Sequence, residues 1–319
     1  MEDQGKTVLK AAYTHVAKKL LDGVTLHKLF GYDITGSRSH LTRFNGDEII
    51  IIDEVSMIPC MFYREILRLK RRYPKIQLIL AGDFYQLAPV GEEHIKFADL
   101  SALRNICEYK LELLVEKRAN DDPQKELFAL IKQNAKQVYF DPGNFNRIDK
   151  LLPLNLSYTN HTRLGVNRKC MVKYRPEDKS AYFKLPSSSS PRQDGENKYG
   201  QMTWVYRGLP VRCRKRVAKD AYGNKIEILN GMTFVVKDYT EKVITLTNND
   251  QEFAIPRNDD FVYNFNPNYC MTIHASQGQT FDQPYGLYDV NLYDEKLLYV
   301  ALSRSTRLSN IHVDFLSST

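Results

Sequence analysis

Two acidic residues, Asp53 and Glu54, end the apolar run Ile49-Ile50-Ile51-Ile52. Neighbouring residues on a strand face opposite ways, so the two carboxylates take different jobs. One can serve a Mg²⁺ ion, through water, while the other orients or activates a water for attack on a phosphate. Alone, an Asp-Glu pair can equally end a strand and cap the next helix. A second apolar run ends in Gly82-Asp83-Phe84-Tyr85-Gln86-Leu87-Ala88-Pro89-Val90. The Gln86 amide both donates and accepts hydrogen bonds, so it suits sensing a terminal phosphate and shifting when that group leaves. Near the C-terminus, Thr272 to Thr280 is rich in small hydroxyl and amide side chains suited to phosphate oxygens, and Gly278 lets a backbone come close. His274, taken alone, fits a core or capping role as well as a ligand role. Tyr299 to Arg307 closes an apolar helix with a cationic tip. Arg304 can aim its guanidinium at a γ-phosphate, an interaction worth about 10³ to 10⁵ in rate, or simply meet the helix dipole.

These groups need rigid elements beneath them. The first hundred residues alternate apolar runs with helix-like stretches, the pattern of a parallel sheet covered by helices. Strands are expected at Lys6 to Ala12, Glu48 to Ile52 and Ile76 to Leu80, the last two buried on both faces, with a crossover helix over Cys60 to Arg72. The polar tips then lie at the carboxyl edge, where open α/β sheets bind ligands. From about Leu111 the pattern restarts, with a helix over Pro123 to Gln133, a strand at Leu154 to Tyr158 and a helix after Arg163. A polar loop from Pro186 to Gly195 leads into short β-type runs separated by Tyr222-Gly223-Asn224, Asn230-Gly231 and Asn248-Asn249-Asp250 turns, the spacing of a small inserted barrel. The α/β pattern resumes at Tyr269 to Thr272, with a helix near Leu292 to Leu302 and a final strand at Asn310 to Phe315.

Composition sets the class. The 319 residues are 43% hydrophobic and 26% charged, which excludes disordered and collagen-like chains. The longest apolar stretches fall far short of the roughly 18 residues that cross a bilayer, so no membrane partner is expected. Met1-Glu-Asp-Gln-Gly-Lys6 has no apolar region of a secretory signal, which points to an intracellular protein. Five scattered cysteines without a Cys-x-x-Cys pair argue against a disulfide framework or structural zinc. The net charge of +7 favours a polyanionic partner, and the cations crowd two segments, Arg64 to Lys75 and Arg212 to Lys219. Either segment reads as a phosphate-contacting face or as a solvated one.

At four of these segments the sequence resembles superfamily 1 helicases, in particular the 1B group of RecD-like and PIF-type DNA helicases. Ile49 to Met57 looks like the Walker B motif, Gly82 to Val90 like motif III, Thr272 to Thr280 like motif V, and Tyr299 to Arg304 like motif VI. Ala11 to Ala17 resembles motif Ia, Gly23 to Phe30 the element after it, and Leu114 to Arg118 motif IV. Thr159-Asn160 through Asn167 resembles the motif that follows, and Leu209-Pro210-Val211 with Asn230-Gly231 the inserted domain. The resemblance implies an α/β fold of two RecA-like parallel-sheet domains with a small SH3-like β-barrel inserted in the second. The expected boundaries are 1–108 for the first domain, 109–180 and 265–319 for the second, and 181–264 for the insertion.

It further implies an ATP-driven monomeric motor that moves 5′ to 3′ on single-stranded DNA or at single-strand/double-strand junctions, in replication, repair or recombination. Its place would be the nucleus or the site of DNA replication in a eukaryote or virus, and the cytoplasm otherwise. ATP and Mg²⁺ would bind in a cleft that closes between the two domains. Asp53 would serve Mg²⁺, Glu54 the attacking water and Gln86 the phosphate sensor. Arg118 and Arg304 would reach the γ-phosphate, and Gly278 would approach the nucleotide. Thr14, Thr25, His27, Asn160, Thr272, His274 and Ser276 would contact the DNA. The phosphate-cradling pattern Gly-x-x-x-x-Gly-Lys-[Ser/Thr] is not found in residues 1–319; Gly5-Lys6-Thr7 lacks the leading glycine and runs into a strand. The sequence therefore leads to an expectation of weak ATP hydrolysis by this chain alone, with a longer or mis-started gene product, or a non-catalytic single-strand-binding relative, as the explanations in view.

Overall fold

The computed structural model describes residues 6–32, 44–89, 91–95, 97, 101–115, 117, 119–133, 145–185, 204–248 and 251–314. Arg118, Gly5, Val90, the Pro186 to Gly195 loop, Asn249-Asp250 and Phe315 lie outside these residues. The chain divides into two compact units, Met1–Lys117 and Arg118–Thr319. Among the described residues no helix is long and apolar enough to cross a membrane. All five cysteines are free thiols.

In the first unit, β1 (Val8–Ala12), α1 (His15–Leu21), β2 (Val24–Thr25), α2 (Leu26–Phe30), β3 (Ile49–Asp53), α3 (Cys60–Arg72), β4 (Gln77–Leu80) and α4 (Ser101–Ile106) follow in order. The four strands form one parallel sheet in the order β2-β1-β3-β4. The central β3 is apolar on both faces and covered on both: Ile50 and Ile52 on one are fully buried, and Ile49 on the other is 4% exposed. Helix α3 begins after Pro59 and turns Phe62, Ile66 and Leu69 inward at helical spacing. Its basic face is a solvated one, with Arg68 paired to the buried Glu65 at 2.6 Å and Lys70 donating to the carbonyl of Ile76. Strand β4 departs from expectation. Its sequence reads as doubly buried, yet among the described residues it is the last strand of its sheet, and Ile79 is 39% exposed. Beyond α4 the chain runs through Tyr109, Leu111, Leu113 and Leu114, all more than four-fifths exposed, without joining the sheet.

The second unit begins with α5 (Asp122–Gln133), β5 (Asn146–Arg147), β6 (Asn155–Ser157), α6 (Asn160–Tyr174) and β7 (Tyr182–Lys184). Next come β8 (Trp204–Tyr206), β9 (Pro210–Cys213), β10 (Val217–Lys219), β11 (Lys225–Ile228), β12 (Thr233–Tyr239), β13 (Val243–Asn248) and β14 (Gln251–Pro256). The unit closes with α7 (Asp259–Asn264), β15 (Phe265–Pro267), β16 (Cys270–Thr272), β17 (Tyr285–Leu287), α8 (Glu295–Leu302) and β18 (Ile311–Val313). A parallel sheet runs β16-β6-β17-β18-β5, and an antiparallel sheet runs β14-β13-β12-β9-β15. One core spans both, joining Val166, Cys170 and Met171 of α6 to Val211, Phe234, Val236, Ile244 and Phe265 of the antiparallel sheet. The inserted strands are therefore packed into the second unit rather than hung from it.

Strand β17 and helix α7 were not expected from sequence. The Tyr285-Gly286-Leu287 run is short and carries a glycine, which weakens a strand reading. The glycine is required all the same. A Cβ at Gly286 would come within 2.6 Å of Asn155 Oδ1 and 2.9 Å of the Ile148 side chain. Asn155 cannot yield, since its Nδ2 donates to the carbonyls of Leu152 at 2.8 Å and Tyr269 at 3.0 Å. Gly286→Ala is expected to lower unfolding free energy by about 1–3 kcal/mol, read as a reduced urea midpoint. An unchanged midpoint would show that β6 and β17 are not packed this closely.

Candidate nucleotide and nucleic-acid sites

The first unit brings its carboxylate pair and its glutamine loop together at the carboxyl edge of β3 and β4. The tie is backbone: Ala81 N–H donates to the carbonyl of Ile52 at 2.9 Å, and Val55 N–H donates to that of Ala81 at 3.0 Å. Gly82 makes this contact possible, because a Cβ there would lie 2.7 Å from the Val55 nitrogen. Asp53 and Glu54 are both half-buried. Asp53 Oδ1 accepts the Glu54 N–H at 2.8 Å. Glu54 takes a left-handed backbone with φ 53°, an uncommon conformation for a residue with a side chain, and this turn re-aims its carboxylate away from the line of the strand. Among the described residues no three His, Cys, Asp or Glu side chains gather to hold a metal. A cation here would thus take Asp53 and fill its shell with water and phosphate oxygens, the arrangement that suits Mg²⁺.

Gln86 stands on the loop after β4, which Asp83 shapes by accepting the Tyr85 N–H at 3.0 Å. Among the described residues the buried Gln86 Oε1 has no hydrogen-bond partner. An unpaired buried acceptor is costly, so this oxygen suits a donor such as a bound water, and turning the amide round would offer its N–H₂ to a phosphate oxygen.

The residues expected to meet DNA in the first unit are gathered at the same sheet edge. Ala12 and Thr25 are register partners of β1 and β2. Thr14 Oγ1 caps α1 by accepting the Ala17 N–H at 3.1 Å, and Thr25 Oγ1 caps α2 by accepting the Lys28 N–H at 3.2 Å. His27 sits in an aromatic box, 4.9 Å from the Phe62 ring and 5.7 Å from that of Tyr13, and burial pushes its pKa down. It is therefore held neutral near pH 7.

In the second unit, β6 and β16 are parallel neighbours with Ser157 opposite Thr272, so the loops after them emerge side by side. His274 stacks on Tyr158 with ring centroids 6.4 Å apart. Thr272 Oγ1 accepts the Ala275 N–H at 3.3 Å, and the exposed Asn160 accepts from Arg163 Nε at 3.1 Å. Gly278 has φ 76°, a turn that glycine adopts without strain. Ser276 is a correction. It is 0% exposed and its hydroxyl donates to the Ile273 carbonyl at 2.8 Å, so it holds the turn rather than facing a strand of DNA.

Arg304 is a second correction of geometry. It is 1% exposed, not a projecting tip. Its Nε donates to the Val300 carbonyl at 2.9 Å, Nη1 to those of Ser276 and Gln279, and Nη2 to Ser303 Oγ at 2.8 Å. The guanidinium thus fastens the end of α8 to the Thr272 to Thr280 loop. The exposed cation of this turn is Arg307. Arg118 is not among the described residues; after it, Asn120 N–H donates to the Thr306 carbonyl at 2.8 Å, and Asp121 Oδ2 accepts the Leu308 N–H at 2.9 Å.

Sequence reasoning missed Asp289, which follows β17. Buried and left-handed at φ 63°, it accepts from Thr159 N at 2.9 Å, Thr159 Oγ1 at 3.0 Å and Thr162 Oγ1 at 2.6 Å, and so anchors the start of α6. Its only sequence signal was a polar residue at the end of a strand too short to be seen.

Residues 2–92 match the AAA domain family. A stretch of 106 residues is 34% identical to the ATP-dependent DNA helicase PIF1 of Trypanosoma brucei brucei, covering 30% of this chain and 11% of that protein. Over 313 residues the chain is 24% identical to the ATP-dependent DNA helicase Pif1 of Campylobacter jejuni, covering 83% of this chain and 69% of that one. It spans less than a fifth of the length of the curated relatives that match most strongly. The crystal structure of Pif1 helicase from Bacteroides, in complex with ADP-AlF3 and ssDNA, superposes with a TM-score of 0.61 at 21% identity, over 97% of this chain and 83% of that one. This likeness establishes an α/β fold of parallel-sheet units.

The buried guanidinium generates a clear expectation. Arg304→Gln should cost at least about 2 kcal/mol, because charged hydrogen bonds to buried carbonyls are lost, and thermal unfolding would read it. An exposed arginine would cost within about 0.5 kcal/mol, and that result would contradict the anchoring role.

Proposed function

We propose, for a chain that is a Pif1-like member of superfamily 1B, that it acts as an ATP-dependent DNA helicase translocating 5′ to 3′ on single-stranded DNA. The observation that carries this reading is the joined tip of β3 and β4, where two differently aimed carboxylates stand beside a glutamine with an unsatisfied buried acceptor. Asp53 would hold Mg²⁺, which when bound screens the phosphate charge. Glu54 would orient and deprotonate the attacking water, and Gln86 would register the terminal phosphate. Thr14, Thr25 and His27 in the first unit, and Asn160, Thr272 and His274 in the second, would line the path of the strand. Arg304 would serve hydrolysis by positioning the loop it anchors, while Arg118 is proposed to reach the γ-phosphate and Gly278 to approach the nucleotide. Replication and repair at junctions, by a monomer working inside the cell, would be the setting.

Glu54→Gln is expected to lower single-strand-stimulated ATP hydrolysis about 10²-fold or more while leaving oligonucleotide affinity within about twofold. Absolute turnover by the isolated chain should be slow, since no phosphate-cradling loop lies within residues 1–319. A brisk rate untouched by Glu54→Gln would refute the assignment. Oligonucleotide binding with no turnover under any condition would favour a non-catalytic single-strand-binding role.

A further inference from the structure

Of the two basic segments in the sequence, that from Arg212 to Lys219 is split by the fold. Arg212, within β9, and Arg214, just beyond its end, line the same pocket while Cys213 between them is buried in the core. Lys215 turns instead to the ring and hydroxyl of Tyr263, and Arg216 lies 3.7 Å from Glu227. Arg212 and Arg214 meet Arg163 of α6 at a pocket of about 220 Å³, whose other walls include Asn230, Asn266 and Thr272. No Asp or Glu lines it.

Three guanidinium groups around one half-enclosed space repel one another and are short of water. Burial lowers the pKa of Arg212, with Arg163 adding to the effect, and burial lowers that of Arg163, with Arg214 adding to it. Arg212 is held in place, donating to the carbonyl of Ala275 at 3.0 Å and to the Met271 sulfur at 3.6 Å. Asn266 adds a buried Oδ1 with no partner among the described residues. Turning that amide round would offer an N–H₂ donor to an anion. Pockets for whole small molecules run to roughly 300–1,000 Å³, so this one has room for a single group rather than a nucleotide. Thr272 and Ala275 in its wall belong to the loop already assigned to the strand path.

We propose that this pocket is a phosphate subsite, in which Arg163, Arg212 and Arg214 clamp one phosphodiester of the bound single strand. The assignment rests on the single-strand-binding function proposed above. An anion here removes the mutual repulsion of the cations, and planar guanidinium groups match two phosphate oxygens at once. The contact is blind to sequence and fixes the register of the strand on the second unit.

The test is fluorescence anisotropy of a labelled oligothymidylate with the full 319-residue chain, over a potassium chloride series. Arg214→Met and, separately, Arg163→Met keep the side-chain bulk and remove the charge. Each variant is expected to bind about tenfold more weakly at low salt and to flatten the slope of log K against log salt by about 0.7, the loss of one phosphate contact on a single strand. Circular dichroism melts show whether the variants are folded. Wild-type affinity and slope in both folded variants would overturn the subsite while leaving strand binding intact. Failure of the unmutated chain to bind the oligonucleotide would instead remove the function on which the subsite rests. Calorimetry with inorganic phosphate supplies the third arm: saturable binding abolished by Arg214→Met, with oligonucleotide affinity unchanged, would assign the pocket to free phosphate and overturn the strand.

Discussion

The chemistry proposed for the first unit depends on a pair of backbone hydrogen bonds that lock the end of β4 to the turn after β3. Ile52, Ala81 and Val55 form this lock, and Gly82 lets the two segments come close enough to make it. Without it the carboxylates and the glutamine would sit on loops free to drift, and a water positioned by one would not be registered by the other. Productive geometry in phosphoryl transfer is a matter of fractions of an ångström, and main-chain bonds between adjacent strands are the stiffest means available to hold it.

The second unit solves its positioning problem with buried side chains instead of backbone. Asp289 gathers the start of α6, and Arg304 gathers the turn after β16 to the end of α8. Both are charged groups whose bonding capacity is spent inside the fold, where an unmet charge would be severely destabilising. They act on what touches a ligand by holding it, and the residues left at the surface of these loops are Tyr158, Asn160, Thr272, His274 and Arg307.

Much of this was legible in the sequence because its signals are local. The Ile49 to Ile52 run could only be a covered strand, and the apolar spacing in Cys60–Arg72 could only be a helix. Thr14, Thr25, His27, Thr272 and His274 fell at strand ends, and the structure gathers them at two sheet edges. What failed was non-local. Nothing in Gln77 to Leu80 says that no further strand among the described residues lies beside it, since edge and centre differ in neighbours and not in composition. Arg304 was read as a projecting cation because arginine is usually exposed; two carbonyls from the distant Ser276 and Gln279, joined by Val300 and Ser303 of its own helix end, decided otherwise. Ser276 was misplaced for the same reason, a hydroxyl counted as available when a 3-10 turn had already used it.

Glu54 holds a left-handed backbone that glycine or asparagine would occupy at less expense, by about 1–2 kcal/mol for glycine. Folding and the proposed chemistry therefore pull in opposite directions at this one position. Selection for heat tolerance alone would drift toward Glu54→Gly or Glu54→Asn, and the sturdier descendants would have surrendered the carboxylate.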